Sequence, residues 1–302
     1  MAIAAFALVL ALLAAGWASA RLALLPADAP DTLNGFVIYL CLPALVLARV
    51  PGLHLRADLA VLVALPWLLL VVAAALILVV ARRLAWEREV VGALLLCVPL
   101  GNTAFLGYPM VGALFGEDAV RLAMVYDQLG SFLMLPTWGL LVQGRYAGGA
   151  TPSARAMALR VVKFPPFLAL VVALLPWRLP PSAHALVQPI LERVGDALVP
   201  VAMFAVGLTL RLAWPRRPSA LAVGLVVKMA LMPLVAWLAM RALGSRPEVM
   251  RVAVLESAMP AMITAGALAM AGRLAPELAA ALVGWGIVAA TVTLPLIAWL
   301  LR

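Results

Sequence analysis

Asn102, Thr103 and Thr264 are neutral hydrogen-bonding residues that follow a proline, Pro99 or Pro260, by three or four positions inside runs apolar enough for a bilayer. Proline removes a backbone donor and disfavours helix for the residue before it. A break at Pro99–Asn102 therefore exposes the start of a new half-helix, whose free N–H groups and dipole favour negative charge. A break at Pro260–Thr264 does the same, and the amide and hydroxyls add donors without adding charge. The chemistry this implies is the holding of a small anion rather than the making or breaking of a bond. Tyr108 and Gln128 are placed as further liners of the same pocket. Alternatively, Pro99 and Pro260 simply kink packed helices.

Lys228, Asp127 and Glu256 are the ionisable residues singled out within the apolar runs. Lys228 sits mid-run in Gly224-Leu225-Val226-Val227-Lys228-Met229-Ala230, about 15 Å from the run's start at 1.5 Å per residue. A charge at that depth costs a few kcal/mol and must find a partner. Lys228 could neutralise half-helix C-terminal ends, attract the anion, or stand where a sodium ion would sit. A structural ion pair is the plainer alternative. Asp127 lies about as deep. Glu256 precedes Pro260 by four residues, which on a continuous helix is one face. Either carboxyl could carry a coupling proton. Asp196 is expected in an interfacial ion pair near Glu192 and Arg193, and His54 and His184 are expected in loops. Cys41 and Cys97 lie within apolar runs and read as packing residues. No metal site and no cofactor is expected, beyond a coupling proton or sodium ion.

The chain that carries these residues is 67% hydrophobic and 12% charged, far above the ~45–50% apolar content of a soluble domain. It is therefore an all-α integral membrane protein. The net charge of +9 is spread over short loops between apolar runs, which argues for membrane topology rather than a nucleic-acid partner. Runs of roughly 20 apolar residues mark spans, placed at 2–21, 32–50, 59–81, 89–115, 119–143, 157–177, 186–210, 218–240, 249–271 and 278–301. Ala18-Ser19-Ala20 resembles a signal cleavage site, but no positive charge precedes the first run, so that run is expected to stay as a transmembrane helix.

The prolines repeat. Pro43, Pro66, Pro99 and Pro136 in the second to fifth runs are matched by Pro200, Pro233, Pro260 and Pro295 in the seventh to tenth, each pair about 160 residues apart, which is the mark of an internal duplication. Residues 1–143 form the first five-helix repeat, 144–156 a connecting loop, and 157–302 the second repeat. Five spans per repeat invert the second relative to the first, a plan common to secondary transporters. The basic clusters at 82–88 and 145–163 place those loops in the cytoplasm and both termini outside.

Several stretches resemble the auxin efflux carrier family, the bacterial branch of the plant PIN-type carriers. Leu33-Asn34-Gly35-Phe36-Val37-Ile38-Tyr39-Leu40-Cys41-Leu42-Pro43-Ala44-Leu45 is similar to that family's second helix. Gly101-Asn102-Thr103-Ala104-Phe105-Leu106-Gly107-Tyr108-Pro109, with Leu114-Phe115-Gly116-Glu117, resembles its fourth. Ser257-Ala258-Met259-Pro260 and Thr293-Leu294-Pro295 match its last two. The resemblance implies ten helices in two inverted repeats with broken helices 4 and 9 crossing, an arrangement like that of bile-acid symporters and sodium–proton antiporters. It implies elevator-type transport of organic anions such as malonate or malate, a homodimer, and a bacterial inner membrane as the location. It gives Asn102 the role of holding the substrate carboxylate. At the matching place in the ninth helix this chain has Thr264 where the family often has asparagine, which weakens any transfer of plant auxin specificity.

A carrier of small carboxylates is thus the leading expectation, with export of auxin-like hydrophobic weak acids as the alternative. No phosphate-binding loop, His-Glu-x-x-His or Gly-x-Ser-x-Gly motif is present, which argues against ATP as driver and against an intramembrane enzyme. A Ser257–Lys228 dyad rests on residue type alone. A sensor or scaffold would not need two matched breaks.

Overall fold

A computed structural model describes residues 2–51, 57–148, 153–175 and 180–301. Nearly all of them are helical, as an apolar chain in lipid requires: only an intra-segment ladder satisfies every backbone group there. Five helices among the described residues are long and apolar enough to cross a bilayer: Ala4–Arg21, Ala29–Arg49, Leu59–Arg83, Pro218–Ala242 and Pro276–Leu300. The first run is accordingly one helix, Ala2–Arg21. Other apolar runs are interrupted, as Arg88–Cys97 then Thr103–Phe115, and as Pro247–Ser257 then Ile263–Ala271. Prolines open several helices, at Pro181, Pro218, Pro247 and Pro276, where a missing N–H costs nothing.

Interior prolines leave a second mark. Wide π-type turns occupy Val37–Cys41, Thr103–Gly107 and Val227–Leu231, each ending two residues before Pro43, Pro109 or Pro233. Two more, Asp127–Ser131 and Leu135–Gly139, flank and include Pro136. A widened turn relieves the clash between the proline ring and the carbonyl four residues back. Thr103, Asp127, Gln128 and Lys228 all lie in these turns.

The described chain forms two compact units, and neither is a sequence half. One comprises Met1–Arg56 with Ala158–Thr209, the other Ala57–Met157 with Leu210–Arg302. Each unit thus takes its helices from both halves of the chain. In the first unit Ala2–Arg21 lies along Leu198–Thr209. Their backbones meet at Gly16 and Gly207: a Cβ on Gly207 would stand 3.0 Å from the Gly16 Cα and 2.9 Å from the Trp17 nitrogen. Gln188 Nε2 donates to the Ala48 carbonyl at 3.2 Å. Asp196 does form an exposed ion pair, but with Arg49 at 3.5 Å rather than with its neighbour Arg193. His184 is not in a loop; it is an exposed residue of helix Pro181–Asp196, whose first turn the preceding Pro180 carbonyl helps to close. His54, Arg56, Arg178, Arg302 and positions 149–152 of the connecting segment lie outside the described residues.

The second unit holds every other candidate residue. On helix Ala57–Arg83, Leu62, Ala73 and Ile77 are buried while Leu68, Val71 and Val79 are exposed, a helix with apolar residues on both its inner and outer faces. Arg217 pairs with Glu87; the guanidinium holds the Glu87 carboxyl below the usual carboxylate range. Both are about half-exposed, so salt screens the pair and it adds little stability.

The Gly16–Gly207 contact leaves no room for side chains on either helix. Gly16→Ala and Gly207→Ala should each lower the thermal unfolding midpoint in detergent. Gly35→Ala, where an added Cβ meets nothing within 4 Å, should not. Equal midpoints for all three would refute the close approach.

Candidate functional site

The two interrupted runs meet at their breaks. The Asn102 N–H donates to the Pro260 carbonyl at 2.8 Å, and the Met262 N–H donates to the Leu100 carbonyl at 2.8 Å. Together they make an isolated antiparallel bridge between Gly101 and Ala261. Leu100, Asn102 and Ala261 are all buried. Four backbone groups freed from helix are thus paired with one another, where each left unsatisfied would cost several kcal/mol. Two half-helices, Thr103–Phe115 and Ile263–Ala271, begin at this meeting point. Neither first turn receives a hydrogen bond from its N-cap side chain, Asn102 or Met262. Their N–H ends are the kind of site that favours an anion.

The opposite pole is also met. Lys228 Nζ donates to the Pro99 carbonyl at 3.5 Å, placing a cation at the C-terminal end of Arg88–Cys97, where the helix dipole is negative. Gly101, within the first break, lets the ammonium come close: a Cβ there would lie 3.0 Å from Nζ, a contact that the flexible lysine end would have to ease. Pro99 leaves a further debt, because the Leu95 carbonyl loses its usual donor four residues on. Trp138 supplies it, its Nε1 donating to Leu95 at 2.8 Å. Nothing in the spacing of Trp138 signalled this; the only clue is that a proline following a helical turn leaves the carbonyl four residues back without its usual donor.

Asp127 is the centre of a buried network. Its Oδ1 accepts from Thr103 Oγ1 at 2.5 Å. Its Oδ2 accepts from Tyr108 OH at 2.8 Å and from Gln128 Nε2 at 2.9 Å, and Gln128 Nε2 also reaches Tyr108 OH at 3.3 Å. All four residues are buried. The network fastens the half-helix Thr103–Phe115 to the 117–147 run. Tyr108 and Gln128 therefore direct their donors at Asp127 and do not line the cavity beside the breaks.

That cavity has a volume of ≈ 10 Å³ and is lined by Pro99, Gly101, Thr103, Lys228, Glu256 and Ser257, with Pro66, Leu69, Tyr126, Ser131, Met134 and Met232 completing the wall. It is the size of a single water, too small for a dicarboxylate. Asn102 stands at the bridge with its Nδ2 buried and, among the described residues, without a partner. Pro260 is at the bridge as well. Thr264 is exposed and is not brought to the cavity. Glu256 and Pro260 do not share a helix face: the helix ends at Ser257 and Pro260 lies in the break beyond it. Glu256 is wholly buried, and neither carboxyl oxygen has a hydrogen-bond partner among the described residues. It presses on the backbone of Gly107, where a Cβ would fall 2.6 Å from Oε2. Ser257 donates its hydroxyl to the Val254 carbonyl at 2.7 Å, so it is engaged by its own helix rather than by Lys228. Gly107, which Glu256 abuts, and Ser131, which lines the cavity, carry no pocket signal in the sequence, where a small residue in an apolar run points only to close packing.

A family model described as "Membrane transport protein" matches residues 1–298. An uncharacterized transporter of Methanothermobacter thermautotrophicus is 30% identical over 299 residues, covering 95% of this chain and 94% of the relative. A protein of Rhizobium meliloti named "Putative malonate transporter" is 27% identical over 263 residues, covering 81% of this chain and 78% of the relative.

Leaving a buried acceptor without its donor costs about 1–3 kcal/mol. Thr103→Val, which removes one donor to Asp127, and Trp138→Phe, which removes the donor to Leu95, should each lower the unfolding free energy by about that amount. Thermal or denaturant unfolding of the purified variants checks this, and wild-type stability in both would show that these bonds are not maintained.

Proposed function

We propose that this chain, which belongs to the membrane transport protein family (the auxin efflux carrier family that its motifs resemble), is a secondary carrier of small organic anions such as malonate or malate. The observation that carries the reading is the buried Asn102 Nδ2, without a partner among the described residues, at the junction where two half-helices start. A carboxylate set there would accept from the Asn102 Nδ2 and from the free N–H groups of the first turns, all charge-assisted bonds. The relative named for malonate supports that substrate class. The wider frame is ten spans in two inverted five-helix repeats, with the interrupted fourth and ninth spans crossing at the paired breaks. The protein is a homodimer of the bacterial inner membrane with both termini outside.

Transport is elevator-type alternating access. The unit that contains both breaks carries the anion, and binding takes place in a state wider than the ≈ 10 Å³ cavity seen here. Lys228 keeps the C-terminal end of Arg88–Cys97 neutralised while the anion occupies the N-terminal ends of Thr103–Phe115 and Ile263–Ala271. An enzyme is disfavoured by the membership of a transporter family and by the engagement of the Ser257 hydroxyl with its own helix.

The test is uptake of labelled malonate and malate into proteoliposomes holding wild type or Asn102→Ala, under a proton gradient, a sodium gradient or voltage alone. A lost hydrogen bond to a charged group is worth about 1.5–3 kcal/mol, or roughly 10- to 150-fold in affinity. Saturable uptake of unaltered malonate by wild type, with affinity reduced by that factor in the variant, is expected. Equal uptake by both would refute the assignment of Asn102. No uptake by wild type would discard this substrate class and turn attention to auxin-like weak acids.

A further inference from the structure

We propose, resting on the carrier reading above, that Glu256 is the residue that takes up and releases a proton during transport, while Asp127 is a fixed anchor. The sequence offers both carboxyls for the role, and their surroundings separate them. Asp127 accepts three hydrogen bonds, which compensate a buried negative charge. Glu256 accepts none among the described residues, is 0% exposed, and fronts the water-sized cavity. A bare carboxylate in that setting is prohibitive, whereas a carboxylic acid is not. Glu256 therefore holds a proton in the conformation seen here.

The same cavity identifies the coupling species. A sodium ion here would need several oxygen ligands packed around it beside the ammonium that Lys228 brings to the wall, whereas a proton needs only a bond to one Glu256 oxygen and no added space. The titratable groups that act on Glu256 from the packed elements are Lys228, Asp127, Tyr126 and Tyr108. Helix Ala57–Arg83 contributes Pro66 and Leu69 to the cavity, Glu277 in the first turn of Pro276–Leu300 is paired with Arg216, and Arg241 in the last turn of Met232–Ala242 stacks on Trp237. The cycle balances simply. One O–H bond forms on Glu256 with a proton from water on one side, and the same bond breaks to deliver that proton to water on the other. The carboxylate left behind is compensated once the Lys228 ammonium, which in this conformation donates to the Pro99 carbonyl, turns toward it across the shared cavity.

Two measurements on the full chain in liposomes test this. The first is the infrared carboxylic C=O stretch of the protein at neutral pH without substrate. It should be present in wild type and in Asp127→Asn and absent from Glu256→Gln; its survival in Glu256→Gln overturns the proposal. Should Glu256→Gln not fold, Glu256→Asp should keep the band at a changed frequency, and an unmoved band would overturn it equally. The second is the proton movement that accompanies malonate entry, read by an internal pH dye. Its loss in Glu256→Gln supports the proposal, and wild-type proton movement in that variant refutes it. If wild type moves no malonate, the substrate reading fails on that arm, and the infrared band alone decides the role of Glu256.

Discussion

Backbone that leaves a helix inside a membrane must find partners, and in this chain two such stretches find each other. The reciprocal bonds from Asn102 to Pro260 and from Met262 to Leu100 let both interruptions exist. Without them, Pro99 and Pro260 would leave polar groups stranded in an apolar interior. With them, the breaks become a fixed junction from which two half-helices depart. Polarity is sorted there: N–H ends open to an anion, and the Pro99 carbonyl meets Lys228.

The side chains around the junction follow from that arrangement. Thr103, at the start of its half-helix, is tied to Asp127, and Tyr108 one turn on is tied to the same carboxylate. The half-helix is thereby held at its start and along its length. Trp138 repairs what Pro99 removes. Donors left over from this accounting are few, and the Asn102 Nδ2 is one. A buried amide donor left without a partner among the described residues, beside the likewise unpartnered Gln128 Oε1 and Glu256 carboxyl, is a place that an acceptor such as a carboxylate would satisfy.

Much of this was legible in the residues alone. Apolar length gave the helices, and the prolines gave the interruptions at 99 and 260, because both effects are local. Lys228 at a half-helix carbonyl was among the alternatives that its depth suggested. Pairing between breaks was not readable, since it joins residues about 160 positions apart through backbone atoms common to every amino acid. The bonds from Tyr108 and Gln128 to Asp127 were not readable either, because a polar type fixes the need for a partner and not its identity. Thr264 shows the same limit: its place after Pro260 suggested the junction, but the turn of its helix leaves it exposed. The division into two units was likewise hidden, because each unit takes helices from both halves of the chain.

The most direct measurement is the distance between the Asn102 side-chain nitrogen and the carboxyl carbon of bound malonate. The chain has only two asparagines, Asn34 and Asn102, so protein labelled with ¹⁵N at asparagine side chains and loaded with ¹³C-carboxyl malonate gives an unambiguous solid-state dipolar recoupling experiment, with Asn34→Gln to assign the signal. A strong coupling that persists in Asn34→Gln, at hydrogen-bonded separation, is the predicted result. Bound malonate that shows no coupling to Asn102 would contradict the placement of the anion at the junction.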